Sequence, residues 1–468
     1  MMRLSEAAAS IGIGASTAGD DALFVSVFSD SRAIEKGGLF VALRGERFDG
    51  HDFVADVIAN GAAAAMVDER WLAANKRCTL PLLVVADTRL GLGQLAVAWR
   101  RRLAGPLIGV TGSNGKTTVK DMCASIMAAQ FGEGRILATS GNLNNDIGLP
   151  LTLLRLSERH RAAVIEMGMN HAGEISFLTN IARPAVALIN NAQRAHLEGL
   201  GSVAAVARAK GEIFEGLGKD GVAVINADDP HAHIWRELAG QRRTMTFGLD
   251  HPADVSASAE YRESTTAIKL RTAQGDASME LQLPGNHNVL NALAAAAACL
   301  AAGAALDAVV VGLSTYRGAK GRLQRKAGEG GAVLIDDTYN ANPDSMRAAV
   351  DVLAKLPGKR MFVVGDMGEV GESGRQFHAE LGAYAKSRGI DRLLCLGSLS
   401  VVAADNFGTG AKHFERIDDL IGHLRERLDA TTTVLVKGSR FMRMERVIDA
   451  LLQKREVSGT ANEEANHG

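Results

Sequence analysis

A lysine flanked by glycine and two hydroxyl residues is the arrangement by which a polypeptide cradles phosphate. Gly112-Ser113-Asn114-Gly115-Lys116-Thr117-Thr118 supplies it directly after the apolar run at 107–110 and directly before a helical pattern. Gly112 and Gly115 let the backbone curl until its N–H groups and the helix N-terminus face phosphate oxygens. Lys116 then neutralises charge on the terminal phosphates and the Thr117 hydroxyl is placed to ligate Mg²⁺. The strict pattern for such loops wants glycine five residues before Gly115, where this chain has Val110. The competing interpretation is a helix-capping turn with an incidental lysine.

Three further residues have types suited to the same chemistry. Glu166 ends the apolar run 162–165, where a neighbouring strand of a nucleotide fold places a magnesium ligand. By itself it reads equally well as a surface acid or a helix cap. His196 follows the apolar run 186–189, in a loop where a histidine is more often ordinary than functional. Lys210 falls on an expected helix, where, unaided, it reads as a solvated charge.

The elements that must position these residues alternate along the chain. Short apolar runs at 107–110, 162–165, 186–189 and 222–225 are separated by Ala-rich helical stretches, the pattern of a parallel sheet covered by helices. A second series, at 333–335, 361–364, 393–396 and 433–436, ends in polar or Gly-rich residues. Ligands of open α/β sheets sit beyond the carboxyl ends of strands, so those endings are where chemistry is expected. The fold class is therefore α/β, in three domains. Boundaries are expected at Gly105-Pro106, after the basic Arg100-Arg101-Arg102, and near residue 320. This gives domains 1–104, 105–320 and 321–457, with a polar, aperiodic tail at 458–468.

Composition narrows the class of function. The 468 residues are 47% apolar and 22% charged, ordinary for a globular protein of several domains. With 52 Lys plus Arg against 53 Asp plus Glu, the overall balance gives no reason to expect nucleic acid or an anionic membrane as partner. Cys78, Cys123, Cys299 and Cys395 lie in no metal-ligand spacing and suit a reducing compartment. No membrane-length apolar stretch or signal-peptide pattern is present, so a cytoplasmic protein without membrane insertion is expected. No obligate protein partner is evident.

The ordered motifs resemble the Mur ligase family. They are TGSNGKTT at 111–118, GNLNNDIGLP at 141–150, EMGMNHAGEI at 166–175, NAQRAHLEGLGS at 191–202, AKGEIF at 209–214, GNHNVLNALAA at 285–295, GRLQ at 321–324, DDTYNANPDSM at 336–346, GDMGEVG at 365–371 and VKGSR at 436–440. DSR at 30–32 and LFVALRGERFDGHDF at 39–53 resemble the uridine-nucleotide module of the member that adds a dipeptide. The DNPR motif of the diaminopimelate-adding relatives is absent. Folylpolyglutamate synthetases share the ATPase core but lack that N-terminal module. A P-loop switch protein would account for residues 107–130 and for little else.

The resemblance implies a UDP-sugar-peptide-binding N-terminal domain, a central ATPase domain and a C-terminal Rossmann-like domain. The implied reaction joins D-alanyl-D-alanine to UDP-N-acetylmuramoyl-tripeptide, with ATP and two Mg²⁺ ions, through an acyl phosphate. Carried over by resemblance, Thr117 and Glu166 serve one magnesium ion, and His196 with a carbamylated Lys210 serves a second. A carbamate turns a repelling ammonium into an anionic oxygen ligand, and needs a neutral amine first. Asn144 and Asn145 resemble the pair beside the transferring phosphoryl group, Asn288 the adenine-recognising residue, Asp337 the ribose-binding acid and Arg322 an arginine that reaches the γ-phosphate. Ser31, Arg32, Gly45, Asp49 and His51 are expected at the uridine diphosphate. Tyr339, Asn340, Asn342, Lys437 and Arg440 are expected on the amino-substrate side. His378 also fits the family pattern but is left out of the catalytic set, since a structural histidine at a helix start explains it equally well.

Overall fold

A computed structural model describes residues 1–12, 17–18, 20–262 and 265–453; the expected tail at 458–468 lies outside the described residues. The chain divides into two compact units, Met1–Arg317 and Gly318 onward.

In the first unit the central sheet, among the described residues, runs in the order Gly275–Leu281, Thr266–Thr272, Val255–Tyr261, Arg243–Gly248, Val222–Asn226, Val186–Ile189, Leu107–Thr111, Ala162–Glu166, Ile136–Ala138. From Val255–Tyr261 to Ile136–Ala138 every pairing is parallel. Strands such as Leu107–Thr111 and Val222–Asn226 are buried along their whole length, which explains their continuous apolar runs. The strand carrying the Gly112–Lys116 turn lies between the strand ending in Glu166 and the strand leading to Asn190. Three loops of chemical interest thus leave one carboxyl edge side by side.

The parallel pattern expected from the sequence is extended by an antiparallel arm, Val255–Tyr261, Thr266–Thr272 and Gly275–Leu281. In Thr266–Thr272 only Thr266, Ile268 and Leu270 are buried and the residues between them are at least partly exposed, so no continuous apolar run announces it.

The N-terminal part of this unit has its own sheet, Thr17–Ala18, Leu82–Val85, Ala64–Asp68, Leu39–Val41, Val27–Phe28, parallel apart from the first pair. One hydrophobic cluster joins Leu39, Met66 and Val85 of this sheet, through Leu92, Leu95 and Trp99 of the helix Thr88–Arg100, to Leu149, Leu178 and Ile181 beside the central sheet. At the end of that helix Trp99 Nε1 donates to the Leu156 carbonyl at 3.0 Å, and Arg100 Nε donates to the Ala182 carbonyl at 2.9 Å. Arg100 thereby covers the C-terminal carbonyls of the helix Glu174–Ala182.

The second unit carries a sheet ordered Gln324–Ala327, Val333–Asp337, Thr432–Lys437, Lys359–Gly365, Arg392–Leu396, Ala411–Phe414, with only the first pair antiparallel. The polar edge strand Gln324–Ala327 was not legible as a strand, since charge on an exposed edge hides it. His378 is fully buried, its Nδ1 facing the Gly374 carbonyl at 2.7 Å and its Nε2 accepting from the Met367 N–H at 3.1 Å. Both ring nitrogens thus face internal partners, as the structural of its two readings requires. Among the described residues no helix is long and apolar enough to cross a membrane.

Candidate active site

The turn after Leu107–Thr111 requires its glycines. Gly115 has φ +78°, and a Cβ there would stand 2.4 Å from Asn291 Oδ1 and 2.6 Å from Asn190 Nδ2. A Cβ on Gly112 would meet Asn190 Cβ at 2.9 Å. The helix Lys116–Phe131 follows at once, so Lys116 and Thr117 occupy its first turn, where N–H groups lack intrahelical acceptors. Lys116 Nζ folds over the loop and donates to the Gly112 carbonyl at 2.8 Å and the Ser113 carbonyl at 3.3 Å.

The side chains of Ser113 and Asn114 face the 190s loop. Ser113 Oγ accepts from the Gln193 N–H at 2.9 Å, and Asn114 Nδ2 donates to Gln193 Oε1. Thr118 is buried. Within the expected phosphate loop, these side chains hold the turn in shape and leave contact with an anion to the backbone, Lys116 and Thr117.

Glu166 is 2% exposed. Its Oε1 accepts from Asn144 Nδ2 at 2.7 Å and its backbone N–H donates to Thr139 Oγ1 at 2.9 Å. Oε2 is buried and has no hydrogen-bond partner among the described residues. An anionic oxygen left this way costs several kcal/mol unless a cation or proton compensates it, so the residues present fit a divalent ion at Glu166. Among the described residues, however, no group of three His, Cys, Asp or Glu is assembled to hold a metal. Any ion there depends on other donors, such as the Thr117 hydroxyl and phosphate oxygens.

The Asn144-Asn145 pair is anchored at both residues. The Asn144 carbonyl accepts from Gly168 N–H at 2.9 Å, and Asn145 Oδ1 accepts from Gly148 N–H at 2.9 Å at the start of the helix Gly148–Leu153. Asp146 forms an ion pair with Arg89 at 3.1 Å. His196 stands in the left-handed region at φ +57°, immediately before the short helix Leu197–Leu200. For a non-glycine residue such a conformation costs about 1–2 kcal/mol and persists only when its surroundings over-determine it.

Lys210, near the end of the helix Val203–Gly211, is 1% exposed, one of the largest fully buried side chains. Burial first, and the neighbouring positive charge of Lys116 second, push its amine well below the ordinary lysine range. The solvated-charge reading of Lys210 is therefore incorrect: the helix turns this residue into the interior. Asn288 is also buried. Its Nδ2 donates to the Pro284 carbonyl at 2.8 Å and its Oδ1 accepts from Asn291 Nδ2 at 3.4 Å, which commits most of the amide internally.

The sequence did not single out Asn190, Asn191, Gln193 and Asn291, which pack around the turn. Asn190 Nδ2 donates to the Asn114 carbonyl and to Asn291 Oδ1, both at 2.9 Å. A doublet of asparagines at a strand end, and an Asn three residues after Asn288 on one helix face, were the available signals.

Between the strands Val27–Phe28 and Leu39–Val41, Arg32 is exposed and its guanidinium grips Asp30 through Nε at 2.9 Å and Nη2 at 2.8 Å. Hydrogen bonds from the Arg32 side chain and backbone hold the Asp30 carboxyl down to about 2. Ser31 lies between them, half-buried. Gly45 N–H donates to the Phe48 carbonyl at 2.8 Å, closing a tight loop whose ends are joined by Arg44 and Asp49. His51, expected at the substrate, points inward instead. It is 2% exposed, its Nε2 accepts from the Asp68 N–H at 3.1 Å, and its Nδ1 faces Asp49 Oδ1 at 2.6 Å. A ring satisfied on both nitrogens orders the loop and leaves neither nitrogen to a ligand.

In the second unit Asp337 Oδ2 pairs with Lys437 Nζ at 2.7 Å, and Lys437 also donates to the Asn340 carbonyl at 2.8 Å. Arg322 lies over the Tyr339 ring, 4.3 Å from its centroid. Arg440 pairs with Glu445 at 3.0 Å. Asn342 caps the helix Pro343–Ala354, its Oδ1 accepting from the Ser345 N–H at 2.9 Å, so the structure gives its side-chain oxygen a turn-shaping part. Asn340 Oδ1 likewise accepts from the Ala341 N–H at 2.9 Å.

Known proteins resemble the chain along nearly its whole length. The Mur ligase family catalytic domain matches residues 11–100, the Mur ligase middle domain 110–299, and the Mur ligase glutamate ligase domain 321–440. The UDP-N-acetylmuramoyl-tripeptide--D-alanyl-D-alanine ligase of Escherichia coli (strain K12) is 44% identical over 437 residues, covering 92% of this chain and 95% of its own. A crystal structure of MurF from Acinetobacter baumannii matches with TM-score 0.85 at 40% identity, over 92% of this chain and 93% of that one. MurF ligase from Thermotoga maritima, solved in complex with ADP, matches with TM-score 0.79 at 28% identity, over 92% and 98% of the two chains.

Proposed function

The chain belongs to the Mur ligase family, and from that premise we propose that it joins D-alanyl-D-alanine to UDP-N-acetylmuramoyl-tripeptide with ATP. The relatives that match over more than nine-tenths of the chain carry that activity in their names. The structural observation that best supports a bond-forming enzyme over a nucleotide switch is Lys210, a fully buried lysine in the field of Lys116. A switch protein has no use for an amine whose positive charge is opposed by both burial and a second cation. A ligase that must hold an anionic ligand there does, once carbon dioxide has converted the neutral amine into a carbamate.

The tripeptide carboxylate attacks the γ-phosphorus of ATP; an O–P bond forms, the bond to the β-phosphate oxygen breaks, and ADP leaves with the electron pair. The dipeptide amine then attacks the acyl carbon, a C–N bond replaces the C–O bond, and inorganic phosphate departs while the amine proton passes to solvent or base. Two anions must approach each other in the first step, so cationic and neutral donors have to surround the transferred group. The N–H groups of the Gly112–Thr118 turn and the Lys116 ammonium bind and orient the phosphates. Asn144 and Asn145 add dipoles without charge. Magnesium, when bound, would be held by Thr117 and Glu166, with a second ion at His196 and carbamylated Lys210, and supplies neutralisation of phosphate charge.

The remaining assignments follow from the family. Arg322 serves the γ-phosphate, Asp337 the ribose, and the uncommitted N–H of Asn288 the adenine. Ser31, Arg32, Gly45 and Asp49 serve the uridine diphosphate, with His51 ordering their loop. Tyr339, Asn340, Lys437 and Arg440 serve the dipeptide side, with Asn342 shaping the turn between them. The protein acts in the cytoplasm, a reading supported by four cysteines in no metal-ligand spacing, which suit a reducing compartment.

The test is ADP release measured with each substrate omitted in turn. Release that requires both UDP-N-acetylmuramoyl-tripeptide and D-alanyl-D-alanine supports the assignment; release with ATP alone, indifferent to both, refutes it. Running the assay with meso-diaminopimelate and with lysine as third residue of the tripeptide identifies the acceptor.

A further inference from the structure

We infer that Asn190 and Asn191 are positioning residues that preset the phosphate-facing N–H of Gly115 before nucleotide arrives. The inference rests on the reading of the Gly112–Thr118 turn as the ATP site. Its basis is a pair of side-chain amides converging on one backbone carbonyl. Asn190 Nδ2 donates to the Asn114 carbonyl at 2.9 Å and Asn191 Nδ2 donates to the same oxygen at 3.1 Å. Asn191 Oδ1 also accepts from the Asn114 N–H at 2.9 Å, so its amide pairs with both backbone groups of Asn114, as a neighbouring strand would. The Asn191 carbonyl meanwhile accepts from the Ser113 N–H at 3.0 Å.

A trans peptide is planar, with its C=O and N–H pointing in opposite directions. The peptide between Asn114 and Gly115 is not cis. Fixing the Asn114 oxygen towards the 190s loop therefore fixes the Gly115 N–H towards the opposite face. Glycine at φ +78° is free to rotate this peptide, so something outside the turn must choose its orientation. Asn190 is itself held rigidly: it is 2% exposed, its Nδ2 also donates to Asn291 Oδ1 at 2.9 Å, and its carbonyl accepts from Asn226 Nδ2 at 2.9 Å. Neutral amides suit the task, because a lysine or arginine on that carbonyl would draw the phosphates to the wrong side.

Asn191→Leu keeps the number and branching of the side-chain heavy atoms, adds no charge and removes both side-chain bonds to Asn114. ADP and ATP affinities, measured by calorimetry on the full chain, are expected to weaken about tenfold to a hundredfold, the value of a hydrogen bond to a charged group. KM for the UDP-linked substrate should stay within about twofold, and the melting temperature without nucleotide should hold. Asn190→Ser, which retains a donor of shorter reach, should fall between wild type and Asn191→Leu. In a ¹⁵N spectrum the Gly115 amide should shift on ADP addition in wild type and lose that shift in Asn191→Leu. Unchanged ADP affinity in a folded Asn191→Leu protein overturns the inference and leaves the ligase assignment standing. Wild-type protein that binds no adenine nucleotide sinks the assignment itself. Equal weakening of ADP and the UDP-linked substrate would also overturn the inference, since it would mark a general loss of structure.

Discussion

Replacing Lys210 by alanine separates the two parts this residue plays. The change deletes three buried methylenes and the amine, a loss of about 2–3 kcal/mol in burial at roughly 0.8 kcal/mol per methylene. It also removes an amine whose charged form is opposed by burial and by Lys116, and that relief offsets part of the loss. Stability should therefore change by no more than about 2 kcal/mol. Activity should fall further, by about 10²–10³-fold, the effect of removing one preorganised electrostatic group at a phosphoryl-transfer site. A small carboxylate such as formate or acetate can enter the vacated volume and restore an anionic oxygen, so steady-state ADP release should recover in proportion to added carboxylate, while chloride at equal ionic strength should do nothing. Full activity in the variant without additive would remove Lys210 from the reaction. An inactive but folded variant that no carboxylate rescues would refute the carbamate and leave the amine to act as such.

Glu166→Gln preserves shape while neutralising the oxygen that has no hydrogen-bond partner; kcat should drop about a hundredfold and the magnesium concentration needed for half-maximal rate should rise, as a metal titration would show. Asp337→Ala leaves the buried Lys437 ammonium without its carboxylate, which should destabilise the C-terminal sheet by about 3–5 kcal/mol, read as lost amide-exchange protection in Thr432–Lys437. Burial lowers the His378 pKa from 6.5, so below that pH an unfolded chain takes up a proton the folded one resists. His378 thus contributes fully above pH 6.5, and protection of the Met367 amide, which donates to His378 Nε2, should decline as pH falls from 7.5 to 5.5. Protection that rises with acid would contradict this assignment.

What the sequence determined by itself was local and periodic. Continuous apolar runs marked the buried parallel strands, and the strand 186–189 was located to the residue. Gly115, Lys116 and Thr117 announced their own turn because its chemistry lies within seven consecutive residues. Family motifs then supplied the reaction, which no periodicity contains. Tertiary structure decided everything that depends on residues meeting across distance. Asn190 and Asn291 reach the turn from 76 and 177 positions beyond Asn114, and their interactions follow from strand order rather than from any pattern near the loop. For the same reason Lys210 lies in the interior, against its reading as a lone solvated charge and in keeping with the neutral amine a carbamate needs, and His51 turns inward from the expected substrate side. A charged or polar side chain on a short element shows its type in the sequence, but whether it faces water or the interior is set by what packs over it, and only the folded chain specifies that.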